Sequence, residues 1–87
     1  MNYVYIVECS DGTFYTGWTN NLKRRVEQHS NGTGAKYTRG RGPVKLVYYE
    51  EFEEKRDAMK REYEIKRYSR SDKLKLISNT EILSCSR

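Results

Sequence analysis

The strongest constraint on this chain lies near its start, where two runs of β-forming residues flank a Ser10-Asp11-Gly12 turn signal. Tyr3 to Cys9 is apolar or aromatic on both alternating sides apart from Glu8: Tyr3, Tyr5, Val7 and Cys9 fall on one side, Val4 and Ile6 on the other. A strand patterned in this way is covered on both faces. Thr13 to Trp18 is a second run of strand formers, and the pair reads as a hairpin. A three-residue loop with Gly12 in the left-handed conformation pairs Val7 with Tyr15 and Tyr5 with Gly17. Tyr5 and Tyr15 then share a face, and Gly17 leaves space opposite Tyr5. A two-residue loop would put the tyrosines on opposite faces.

Beyond the hairpin, Thr19 or Asn20 can cap a helix running to about Ser30, closed by Asn31-Gly32. Thr33 to Gly42 is a glycine-rich basic loop with room for a helical turn near Ala35 to Thr38. Pro43 introduces a third strand, Val44 to Glu50. Glu53 or Glu54 begins a long helix ending near Tyr68, with Lys66 and Arg67 suited to its last turn. Ser69 can cap a final helix through about Ser78, with Asp72 in its first turn. The order β-β-α-β-α-α describes an α+β sandwich. Residues 1–79 make one domain, and 80–87 are expected to form a disordered tail.

Eighty-seven residues bury roughly 60% of the unfolded surface, which makes a thin core. Seventeen Lys and Arg against twelve Asp and Glu leave a net charge of +5. That favours a polyanionic partner, with nucleic acid ahead of membrane because no apolar amphipathic anchor accompanies the charge. Two cysteines, one in a strand pattern and one in a polar stretch, suggest a reducing compartment, hence a cytoplasmic protein. The single histidine leaves no Cys/His set for zinc.

Two helical stripes carry residues that contradict their positions. Leu22, Arg25, Val26 and His29 follow the i, i+3, i+4, i+7 spacing. Leu22 and Val26 should face the sheet, which brings Arg25 and His29 to the edge of the core; Arg24, Glu27 and Gln28 read as ordinary solvent residues. Ala58, Met59, Glu62 and Ile65 form a similar stripe with Glu62 as the intruder and no evident cation beside it. Burying a lone charge is costly, so Arg25 and Glu62 must pair, bind a metal or face a polar cleft. An Arg25–Glu62 ion pair that merely fixes packing fits the pattern as well as a functional site does. His29 fits a helix C-terminal cap equally well. Tyr48, Tyr49, Tyr63 and Tyr68 have packing explanations.

These residues resemble the GIY-YIG nucleases, most closely their small stand-alone members. Tyr3-Val4-Tyr5 stands for the first motif and Tyr15-Thr16-Gly17 for the second, with Tyr3 in place of glycine and Thr16 in the middle position. Thr19 to His29 matches the helix motif, Ala58-Met59-Lys60-Arg61-Glu62 followed by Ile65-Lys66 the glutamate motif, and Gly34 to Gly40 the intervening loop. The match runs from Tyr3 to about Ile77.

The resemblance implies a three-stranded antiparallel sheet flanked by helices and a metal-dependent endonuclease hydrolysing phosphodiester bonds in DNA, in repair or DNA processing. Its site would comprise Tyr5, Tyr15, Arg25, His29 and Glu62, with Glu62 holding Mg²⁺ or Mn²⁺. Arg25 would neutralise the phosphoryl oxygens, and Tyr15 would help activate the attacking water while Tyr5 orients it. His29 would assist proton transfer or contact phosphate. Lys36, Tyr37, Arg39 and Arg41 would grip nucleic acid, DNA ahead of RNA. The alternative is a catalytically inactive nucleic-acid-binding or adaptor domain on the same fold.

Overall fold

The computed structural model describes residues 1–32, 40 and 42–85, with side chains as far as Ser78. Six elements follow one another: β1 (Asn2–Glu8), β2 (Phe14–Thr19), α1 (Leu22–Ser30), β3 (Lys45–Phe52), α2 (Lys55–Lys66) and α3 (Arg70–Cys85). The strands form one antiparallel sheet in the order β2-β1-β3. This is the expected α+β architecture and element order.

Local chemistry sets the hairpin. Gly12 sits at φ +84°, where a side chain would be strained. The Cys9 amide donates to Thr13 O at 2.8 Å, and Asp11 Oδ1 accepts from the Thr13 amide at 3.2 Å. The closed turn produces the expected register, Val7 opposite Tyr15 and Tyr5 opposite Gly17. Between β1 and β3 the register shifts after Ile6, which pairs with Tyr48, while Val7 pairs with Leu46. Val47 is thereby the extra residue of a bulge.

The central strand is covered on both faces, as its pattern requires: Val4, Ile6 and Val7 are wholly buried and Tyr5 is 1% exposed. Val4 and Ile6 pack with Ala58, Ile65 and Ile77 from α2 and α3. Tyr5 points the other way, toward His29 of α1. The hydroxyl of Thr16, beside Ile6, is buried with no hydrogen-bond partner among the described residues.

Several boundaries differ from the sequence reading. The cap of α1 is Asn21, whose side chain accepts from the Arg24 amide at 3.2 Å. Thr19 instead accepts from the Asn21 amide at 3.1 Å, which holds the approach to the helix. α2 stops at Lys66, and Ser69 caps α3 by accepting from the Asp72 amide at 3.1 Å. α3 continues past Ser78 to Cys85, through a stretch with no glycine or proline to stop it. Met59 is 45% exposed and does not belong to the buried stripe of α2, which consists of Ala58 and Ile65.

Tyr48 and Tyr68 do more than fill space. Arg61 Nε donates to both Glu50 oxygens at 3.1 Å, and its Nη1 donates to the Tyr68 hydroxyl at 3.3 Å. Tyr48 donates its hydroxyl to Glu50, and burial pushes its pKa up to about 12. This network fastens α2 to β3.

Candidate active site

Tyr5 projects from the middle of β1 onto the face shared with Tyr15, opposite a glycine. A Cβ at Gly17 would lie 2.5 Å from Tyr5 Oη, 2.8 Å from Tyr5 Cζ and 3.2 Å from Tyr15 Cε2. Glycine is therefore what lets the phenol lie across the sheet. Its hydroxyl is 2.7 Å from His29 Nε2, and Arg25 Nε donates to it at 3.4 Å. The ring centroids of Tyr5 and Tyr15 lie 5.7 and 5.1 Å from that of His29.

His29 is the one residue of α1 classed as buried, with no exposed surface, so it is not a solvent-side C-terminal cap. Burial, seconded by the charge of Arg25, lowers its pKa to about 4. The imidazole is neutral at physiological pH. Burial also pushes the Tyr5 hydroxyl up to about 12, against the opposing hydrogen bond and charge of Arg25.

The negative charge of Glu62 also raises the pKa of this hydroxyl. Tyr5, Tyr15, Arg25 and His29 thus meet from β1, β2 and α1, while Glu62 of α2 reaches Tyr5 only through its charge. Arg25 is bonded to Tyr5 and, at 3.2 Å through Nη1, to Gln28 Oε1. The ion pair of Glu62 is with Lys66, 3.5 Å away and one helical turn on. The packing pair between Arg25 and Glu62 is not what holds these residues, and Glu62 does have a cation on its own helix. Its side chain is 19% exposed.

Gln28 was expected to be an ordinary solvent residue. It is half-buried and orients Arg25, and its i+3 spacing from that arginine was the available signal. Beside Arg25 opens a cleft of about 350 Å³ lined by Trp18, Thr19, Asn20, Asn21, Arg24, Arg25 and Gln28. Lys36, Tyr37, Arg39 and Arg41 lie outside the described residues.

Residues 1–75 match the family model described as the GIY-YIG catalytic domain. The chain belongs to the GIY-YIG family. It is similar to UPF0213 proteins: one from Clostridium perfringens is 65% identical over 82 residues, covering 94% of this chain and 88% of that protein. The solution NMR structure of a UPF0213 protein from Bacillus halodurans is 54% identical with a TM-score of 0.58, over 90% of this chain and 84% of that one. A second NMR structure, of a protein from E. faecalis, is 38% identical with a TM-score of 0.62, over 93% and 86%. Membership of GIY-YIG places the chain in a nuclease family, whose substrates are nucleic acids. Among the described residues, no helix is long and apolar enough to cross a membrane.

Proposed function

We propose that this GIY-YIG domain is a divalent-metal-dependent endonuclease that hydrolyses phosphodiester bonds in DNA, serving repair or DNA processing in the cytoplasm. The observation that carries this reading is the Tyr5 hydroxyl held between His29 Nε2 and Arg25 Nε, with the Tyr15 ring 5.1 Å from that of His29 and the Glu62 charge acting on the same hydroxyl. A neutral histidine can accept a hydrogen bond, a guanidinium can bind phosphate, and a carboxylate with part of its surface exposed can bind a cation.

Glu62 suits Mg²⁺ or Mn²⁺. It is one carboxylate, reachable from solvent, and among the described residues no group of three or more His, Cys, Asp or Glu gathers to enclose an ion. Mg²⁺ accepts such a site because it keeps most of its waters and takes phosphate oxygens. When bound, the cation supplies Lewis-acid polarisation of the scissile phosphate.

The protein's own groups divide the remaining work. Arg25, aimed by Tyr5 and Gln28, neutralises charge on the phosphoryl oxygens. Tyr15, half-buried and therefore reachable, helps take a proton from the attacking water. Tyr5, sealed from solvent, fixes the geometry, and neutral His29 holds the Tyr5 proton in place. Lys36, Tyr37, Arg39 and Arg41 grip the flanking backbone.

The test is incubation of the purified protein with single-stranded, duplex and branched DNA in Mg²⁺ or Mn²⁺, against the same mixtures with chelator. Metal-dependent cutting of any form supports the proposal. Binding with no cutting in either metal would leave a nucleic-acid-binding or adaptor domain.

A further inference from the structure

Two clefts flank the Asn20-Asn21 turn, and their charges differ in kind. The larger, about 660 Å³, is lined by Tyr3, Leu22, Val26, Leu46 and Tyr49, with Lys23 outnumbered by Glu27 and Glu51. The smaller, about 350 Å³, has two guanidinium groups, Arg24 and Arg25, and no carboxylate in its lining. Neither arginine forms an ion pair among the described residues, and the first turn of α1 carries no acid. A phosphate chain leaving Arg25 meets attraction on one side and acidic groups on the other.

The rest of the smaller cleft is chemically suited to a base. Trp18 borders the cleft from β2, with its ring packed against the Val4 and Ile6 core and the Lys55 ammonium 5.1 Å from its centroid. Asn20 is exposed at the rim, and its amide offers one donor group and one acceptor. Asn21 spends its side-chain oxygen on the helix cap, and Gln28 spends its own on Arg25. That leaves Asn20 as the group best placed to discriminate among bases. The volume falls at the small end of ligand clefts, about 300–1,000 Å³, which suits a single nucleotide.

We propose that this cleft is a nucleotide subsite beside the reacting phosphate: Arg24 holds the neighbouring phosphate, and Asn20 reads the base between them. The subsite rests on the endonuclease reading and adds to it a sequence preference at one position.

The experiment measures binding of labelled oligonucleotides in chelator over a range of salt concentrations, and maps cut positions in Mg²⁺. Arg24→Ala should weaken binding about fivefold or more for every sequence and lower the salt slope by about one unit. Lys23→Ala, one residue away but on the other cleft, should change affinity less than about twofold. Asn20→Ala should weaken binding of the preferred sequence while leaving the others within about twofold, flattening the base preference at one position beside the cut. Equal effects of Arg24→Ala and Lys23→Ala, or a cutting pattern unchanged by Asn20→Ala, would overturn the subsite alone. A wild-type protein that binds and cuts nothing would overturn the endonuclease reading and the subsite together.

Discussion

Tyr5 Oη stands 2.7 Å from His29 Nε2, and both side chains are sealed from solvent. Arg25 Nε–H can only donate to the Tyr5 oxygen, so the arrangement that satisfies all three has Tyr5 donating to a neutral imidazole protonated at Nδ1. Protonating that imidazole would bury a cation beside Arg25 and take away the acceptor of the Tyr5 proton.

The first prediction concerns pH. The folded pKa of His29, about 4, lies below the ordinary 6.5, so the unfolded chain binds the extra proton first. The stability that His29 contributes is complete above about pH 6.5 and is lost as pH falls toward 4. At about 1.4 kcal/mol per pKa unit, the loss approaches 3 kcal/mol. Urea unfolding of wild type and His29→Gln between pH 7.5 and 4.5 checks this. The wild type should lose more stability over that range, and parallel curves would contradict it.

Gly17→Ala tests the space kept for the phenol. The new methyl would fall within 3 Å of Tyr5 Oη and Cζ, and Tyr5 is buried and bonded in place. Overpacking of this kind costs about 1–3 kcal/mol. Urea midpoints should show that loss, and any nuclease activity should fall further than stability alone accounts for, because Arg25 takes its aim from Tyr5.

Much of this region was legible in the sequence. The single glycine in the turn fixes the register, because a one-residue slip would move Tyr15 to the face away from Tyr5 and take Gly17 from opposite it. The helix stripes located Arg25, His29 and Glu62 for the same reason: a polar group at core spacing needs a partner. Which partner was not legible. Lys66 lies one turn from Glu62 and Arg25 one helix away, and spacing does not rank a local ion pair against a tertiary one. The depth of His29 was hidden too, since it depends on how closely α1 approaches β1, whereas Leu22 and Val26 on the same stripe are only half-buried.

Thr16→Val should stabilise the protein. The buried Thr16 hydroxyl lacks a partner among the described residues, and such a group costs about 1–3 kcal/mol. Valine keeps the branched shape, so the urea midpoint should rise by the equivalent of about 1 kcal/mol with activity unchanged. A lower midpoint would show that the hydroxyl is satisfied.

Arg61→Met separates architecture from chemistry. It leaves Glu50 without its guanidinium and Tyr68 without a donor, so α2 loses its polar tie to β3. The groups are about a quarter exposed, which limits the expected cost to about 2 kcal/mol. The melting temperature should fall, while cleavage measured well below it should persist.

The central claim is that Glu62 serves a cation and not the fold, and Glu62→Gln tests it most directly. The pair with Lys66 is half-exposed on the lysine side, so losing it should cost less than about 1 kcal/mol. Cleavage of DNA in Mg²⁺ is therefore measured for wild type and variant beside metal-free unfolding and DNA affinity. The account predicts metal-dependent cutting by wild type, none by Glu62→Gln, and nearly equal stability and affinity. Cutting by the variant at the wild-type rate, or a loss of about 3 kcal/mol or more in its metal-free stability, would contradict it.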